Sequence, residues 1–392
     1  MKSRFSGRRS AALAAVAVMA AGAFVAGGQA AAAPDSGALG EVTKNLTYRC
    51  TFPLVGAQDV NATVTITIPD TGTTGARIVN GDLKITATLS ANIVNALRAF
   101  QTATTEGTAV ADVDAAYDSK NLTLGIPGLK IAKQTVPPSG TMPVDISGPT
   151  PSLIVYKAGS VSLAAGAVFT AKVDTRKADG TPTALGVLNV PCSVKATTPP
   201  QDRSLAAIAV SGNDVTPPAG GTPPSQPIDK TLTYNCVFPE SGAVDVTGRI
   251  TGTIPATGTV GNRVQPNLSI TATLPTSVVD VLRANAAATV SGSGVADADN
   301  TYNGTSITVG IPGPVPSVNV PASGELVATL SPAVPSVTVG APGTVAISAG
   351  QQLNGTFTPL KADGTPTALG TFTVPCTLNA GQNPALGAIT FS

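Results

Sequence analysis

The chain has 392 residues, with 41 glycines, 33 prolines, four cysteines, no histidine and no tryptophan, and 23 Lys plus Arg against 22 Asp plus Glu. Without histidine it cannot build a Ser-His-Asp triad, a Cys-His dyad or an imidazole-ligated metal site. A formal charge of +1 gives no electrostatic basis for a nucleic-acid partner, and the length allows two or three domains.

Residues 1–32 read as a secretory signal peptide. Lys2, Arg4, Arg8 and Arg9 form a positive start, an Ala/Val-rich run follows from Ala11 to about Ala26, and Gly27 to Pro34 is a zone of small residues. Proline just past the cut disfavours cleavage after Ala33, so cleavage is expected after Ala32, with Ala30 and Ala31 as alternatives. The Arg8-Arg9 pair lacks the larger apolar residues of a twin-arginine signal, which leaves general secretion. Removing the four cations leaves 19 Lys plus Arg against 22 acids, a net of −3. No later apolar stretch reaches the roughly 18 residues of a membrane span. The expected destination is extracellular, with at most non-covalent attachment to the cell wall.

A tandem repeat organises the rest. Leu46-Thr47-Tyr48-Arg49-Cys50-Thr51-Phe52-Pro53 returns as Leu232-Thr233-Tyr234-Asn235-Cys236-Val237-Phe238-Pro239, 186 residues later. Lys177 to Gly186 recurs unchanged as Lys361 to Gly370, and Val190-Pro191-Cys192 as Val374-Pro375-Cys376. The copies run over 41–212 and 228–392. The intervening segment 213–227, rich in Pro, Gly and Thr, reads as an exposed, semi-extended linker.

Within each copy the apolar period is two. Val60, Ala62, Val64, Ile66 and Ile68 alternate with polar residues, as do Leu83, Ile85, Ala87 and Leu89. Thr71-Gly72, Asn80-Gly81, Asp179-Gly180 and Asp363-Gly364 mark turns. One segment per copy breaks the pattern: Ile93, Val94 and Leu97, then Val278, Val279 and Leu282, stand at helical spacing. Each copy holds two cysteines, 142 and 140 residues apart. Four cysteines allow three pairings, and Cys50–Cys192 with Cys236–Cys376 keeps each bridge inside one repeat. The expected fold is all-β: two tandem immunoglobulin-like antiparallel β-sandwiches, each with one short helix and one intradomain disulfide.

The signal, the Leu-Thr-Tyr-x-Cys-x-Phe-Pro opening and the closing Val-Pro-Cys strand resemble a family of secreted actinobacterial proteins whose domain has no assigned function. The resemblance covers nearly the whole mature chain. It implies an extracellular β-sandwich and transfers no catalytic or ligand-binding residue.

Candidate sites are few. Asp112 with Asp114, and Asp297 with Asp299, are the metal candidates, because calcium is held by clustered carboxylate and carbonyl oxygens. Their spacing is not an EF-hand's, and a solvated acidic loop or a tyrosine corner built on Tyr117 and Tyr302 explains them as well. The repeated Lys177–Gly186 segment reads as a hairpin turn or an exposed binding loop. Lys44 and Lys230 stand where some adhesins form an isopeptide bond, but no matching Asn recurs. No glutamate of one copy aligns with a glutamate of the other, as a repeated glycosidase pair would need. With no tryptophan there is no aromatic sugar platform of the usual kind. The sequence thus points to a non-catalytic secreted module, structural, adhesive or binding, whose partner is an unknown protein or envelope component. No cofactor is expected, and the oligomeric state is not encoded in any recognisable motif. The competing readings are a hydrolase of unrecognised type and a calcium-dependent or inhibitor-like binding protein.

Overall fold

The structure, a computed structural model, describes residues 39–392; the signal-peptide reading lies outside them. Alternating side chains put one face of most strands into a core. The first repeat contributes β1 (Leu39–Phe52), β2 (Gly56–Pro69), β3 (Thr71–Thr73), β4 (Arg77–Ile78), β5 (Leu83–Leu89), α1 (Ala91–Ala99), β6 (Thr104–Tyr117), β7 (Lys120–Thr135), β8 (Met142–Gly148), β9 (Ser152–Val155), β10 (Gly159–Arg176), β11 (Pro182–Val194) and β12 (Ser204–Ser211). The second contributes β13 (Ile228–Phe238), β14 (Gly242–Thr253), β15 (Thr257–Gly258), β16 (Asn267–Leu274), α2 (Thr276–Ala284), β17 (Thr289–Tyr302), β18 (Thr305–Asn319), β19 (Leu326–Leu330), β20 (Ser336–Val339), β21 (Gly343–Leu360), β22 (Phe372–Val374), β23 (Cys376–Leu378) and β24 (Ala385–Phe391).

The all-β expectation holds, as do both short helices, whose apolar stripes Ile93, Val94, Leu97 and Val278, Val279, Leu282 are buried. Both expected disulfides are present, each joining residues directly opposite on neighbouring antiparallel strands. The immunoglobulin-like sandwich needs correction. In the first repeat β1, β2, β5, β8, β7, β6, β10 and β11 form a ring of eight hydrogen-bonded strands, closed where β11 pairs with both β10 and β1. Closure depends on long strands that change partners along their length. β10 pairs with β12 over its first half and with β11 over its second. Period-two alternation is the same in a sandwich and a barrel, so the sequence pattern could not separate them.

The second repeat follows the same path but leaves one seam without a ladder. In the first, Lys130 and Ile131 of β7 pair with Ser147 and Ile146 of β8. The counterpart of Ile131 is Pro316, and Pro314 replaces Leu129. Proline cannot donate to a ladder, and only isolated bonds such as Ser331 N–H to Pro314 O (3.2 Å) span the seam.

The two repeats exchange strands. β9 leaves the first repeat to pair antiparallel with β18, Leu153 opposite Val309 and Val155 opposite Ile307. Reciprocally, β20 pairs with β7, Val337 opposite Leu124 and Val339 opposite Leu122. Each exchanged strand carries a short companion: β4 pairs with β9, and Val264 bridges to Val337. Leu153 and Val155 are buried in a core that also holds Val309 and Ile311 of the other repeat. Fully burying such a side chain stabilises by about 1.5–3 kcal/mol, and each exchange covers an edge that would otherwise be open.

Candidate functional site

The four candidate aspartates are strand residues, not loop residues. Asp112 and Asp114 lie on β6, and Asp297 and Asp299 on β17, so each pair projects from one face of its sheet. The exchanged strands bring a guanidinium to one carboxylate of each pair. Arg77 Nη2, carried by β4, donates to Asp297 Oδ2 at 2.6 Å. Its Nη1 donates to Ser152 Oγ (2.8 Å) and its Nη2 also to Gln352 Oε1 (2.9 Å). In the other half Arg263 pairs with Asp112. These ion pairs cross between repeats and are related by the repeat itself, since Arg77 and Arg263 are 186 residues apart.

Gly125 and Gly310 sit under the two crossings. A Cβ on Gly310 would collide with Ser152 Oγ and the Arg77 guanidinium, and one on Gly125 with Ser336 Oγ. Glycine at both positions leaves that space to the serine hydroxyl and to the arginine–aspartate pair of each crossing, which a side chain there would displace. The Asp297 side chain is 2% exposed and that of Asp112 8%. Burial pushes both carboxyls above the usual range, and the neighbouring arginines pull them back.

The inner carboxylates differ. Asp114 Oδ2 accepts from Arg203 Nη1 (2.6 Å) and its Oδ1 from Thr123 Oγ1 (2.6 Å). Asp299 accepts from Thr308 Oγ1 on one oxygen, and its buried Oδ2 has no partner. The residue equivalent to Arg203 is Pro384, which brings no charge. Burial, helped by Asp297 and opposed by the Thr308 bond, raises the Asp299 carboxyl to about 6. Such a shift often marks an active site, but burial with no cation at hand accounts for it here.

Among the described residues no group of three or more His, Cys, Asp or Glu comes together where a metal ion could sit. Each candidate aspartate is instead engaged by an arginine or a threonine hydroxyl. The tyrosines form no tyrosine corner, whose bond reaches only a few residues upstream. Tyr117 Oη donates to Lys157 O (3.0 Å) and Tyr302 Oη to Ala341 O (2.7 Å), about 40 residues on, securing the chain just after each exchanged strand. Lys44 meets Asp202 (2.5 Å), whereas Lys230 donates to Ala385 O. The repeated Lys177–Gly186 segment is a hairpin turn in both copies, with Asp179 accepting from Thr181 and Asp363 from Thr365.

The main concavity was not foreseen. A groove of about 840 Å³ opens on the first repeat beside Asp114. Its floor is β6, β7 and β10, including Ala116, Thr123 and Ser162; β12 and Lys44 bound one side; Thr338, Val339 and Gly340 of the second repeat bound the other. The corresponding place on the second repeat is filled. There Ile154 stands for Thr338 and Tyr156 for Gly340, and both are buried. Tyr156 Oη lies 2.6 Å from Thr308 Oγ1. The linker also runs along that face: Gly220 lies beside Ser348, the counterpart of Ala164, and Asn383 holds Thr222 O. Repeat-to-repeat comparison of Arg77 with Arg263 and of Tyr156 with Gly340 was the sequence signal available. That signal lies in single positions outside the longer motifs the copies share.

Fold and site together define, among the described residues, an all-β scaffold of two interlocked repeats, each with its own internal disulfide, and an open groove on the first. The chain belongs to a family of unknown function, DUF6801, whose model matches residues 47–206 and 233–387, one match per repeat. No curated protein matches it in sequence. Among the described residues no helix is long and apolar enough to cross a membrane.

Proposed function

We propose that the mature chain is a non-catalytic secreted module that binds a protein or envelope component through its first repeat. The observation that carries this reading is the groove, about 840 Å³ and walled by both repeats. Pockets of roughly 300–1,000 Å³ are the usual size for ligand sites. Both cysteine pairs are oxidised, with no free thiol, which suits an oxidising compartment, and the charged N-terminus followed by an apolar run supports export. The four buried or half-buried candidate aspartates, Asp112, Asp114, Asp297 and Asp299, are tied to arginines and threonines. The test is fractionation of a culture into cytosol, wall and medium, followed by capture from envelope extract on the mature two-repeat protein. Enrichment in wall or medium, and retention of a component that an unrelated β-protein of similar charge does not retain, are expected. Cytosolic residence, or sustained turnover of an ester, glycoside or peptide panel, would overturn it.

A further inference from the structure

The groove on the first repeat has an internal guide to its ligand, because the second repeat shows what fits the same place. There the occupant is the phenol ring of Tyr156, presented from the residue just after the exchanged strand β9. Thr308 uses its one hydroxyl hydrogen on Asp299, so Tyr156 is the donor in the 2.6 Å contact between the two hydroxyls. Burial pushes the Tyr156 phenol up to about 12, which keeps that proton in place at neutral pH. In the first repeat Thr123 likewise donates to its aspartate, Asp114 (2.6 Å). Its oxygen is left with lone pairs facing the groove it lines. The residue after the exchanged strand β20 is Gly340, which is exposed and supplies no ring.

We infer that the groove beside Thr123 and Gly340 is a socket for a tyrosine side chain of a partner protein, whose phenol donates a hydrogen bond to Thr123 Oγ1. The inference rests on the binding-module reading and names its ligand chemistry. A ring brings both apolar area and a polar tip, matching the small apolar side chains of Ala116 and Ala164, which share the sheet face of the Thr123–Asp114 pair. The partner is not a second copy in its folded state. The chain has five tyrosines, and Tyr48, Tyr117, Tyr156, Tyr234 and Tyr302 are all buried.

The test is an NMR titration of the mature full chain with N-acetyl-tyrosinamide, and with N-acetyl-phenylalaninamide as the arm lacking the hydroxyl. Saturable shifts confined to Thr123, Ser162, Thr338, Gly340 and their neighbours are expected, with the phenylalanine amide about tenfold weaker. Gly340→Tyr supplies the ring internally. A Cβ there meets nothing within 4 Å, so the variant is expected to fold, melt higher than the parent and lose the titration. Thr123→Val keeps the shape and removes the acceptor; it should bind both amides equally and weakly. Absence of saturable shifts at millimolar tyrosine amide, equal binding of the two amides to the parent chain, or undiminished binding to Gly340→Tyr would each overturn the socket. The titration is independent of where the protein resides, so its failure is distinct from a failure of fractionation or envelope capture.

Discussion

The same sheet face occurs twice in this molecule and ends differently. On the second repeat Ile154, Tyr156 and the linker close it, leaving Asp299 beside Thr308 with one oxygen unpaired. On the first, Thr338 and Gly340 leave it open, and Asp114 is neutralised by Arg203. The backbone and the exchanged strands are common to both. The divergence is concentrated in a few side chains, with a ring in one place and a glycine in the other, and a proline where its counterpart has an arginine. Duplication thus lets one copy seal itself while the other keeps a solvated concavity on the same order of strands.

The largest effect is expected from separating the copies. A chain ending within 213–227 keeps β7 but loses β20, so the edge from Leu122 to Gly125 is bare and Asp112 loses Arg263. The isolated first repeat should fail to unfold cooperatively as a monomer, and should instead associate through that edge. Analytical ultracentrifugation and chemical denaturation check this; a monomer with the stability of the full chain would show that the exchange is incidental. Next in size is the pair of crossing arginines. Arg77→Met strands a carboxylate that is 2% exposed and removes bonds to Ser152 and Gln352, which should cost about 3–5 kcal/mol. Among the described residues Arg263 has the single partner Asp112, so Arg263→Met should cost about half as much. Equal losses in guanidinium denaturation would mean that the two crossings are energetically equivalent despite their different bonding.

The exchange explains how far the sequence could be read. Strand alternation, the helical spacing of Ile93, Val94 and Leu97, and two cysteines per copy are local signals, and they led to the all-β class, the helices and the disulfides. Which strand pairs with which is not local. Leu153 and Val155 alternate as any strand would, and nothing in their own residues says that their partners Val309 and Ile307 lie in the other copy. Barrel closure was hidden for the same reason, since β10 changes partner midway without changing its pattern. The Asp-x-Asp pairs were legible as a recurring feature but not as ion-pair anchors, because Arg77 and Arg263 are brought to them only by that exchange. The groove was invisible because it arises from an absence, the missing ring at Gly340.

A pH experiment sharpens the comparison between the two inner carboxylates. Asp299 is raised to about 6 in the folded chain, against about 3.9 for an unfolded aspartate. Between those values the folded state keeps a proton that the unfolded state has lost, so stability falls as pH rises across that window. The favourable contribution is complete below about pH 4 and gone above about pH 6, a difference of about 3 kcal/mol. Asp299→Asn should therefore be more stable than the parent near neutral pH by up to that amount, with the advantage shrinking towards pH 4. Asp114→Asn, which loses the Arg203 ion pair instead, should be destabilised near neutral pH. Denaturation of the three proteins at several pH values tests this; a pH-independent advantage for Asp299→Asn would show that its carboxyl does not titrate in that range. The exposed aspartates that hydrogen bonds or lysines hold low, such as Asp59 and Asp118, are common to all three and cancel in the difference.

The smallest effect is a control for the others. The repeated decapeptides form the same turn, with Gly180 N–H bonded to Lys177 O at 3.0 Å and Gly364 N–H to Lys361 O at 2.9 Å. Gly180 and Gly364 have φ of +83° and +80° with nothing near the site of a Cβ. An alanine there pays only the left-handed backbone penalty, about 1–2 kcal/mol, because no neighbour must move. The two substitutions should lower stability equally, since neither turn touches the groove, the crossing arginines or the exchanged strands. If Gly364→Ala costs clearly more than Gly180→Ala, the second repeat is the weaker half of the frame, as the missing ladder at Pro316 suggests. The unequal losses expected for the arginines would then have to be corrected for that difference before being assigned to the ion pairs.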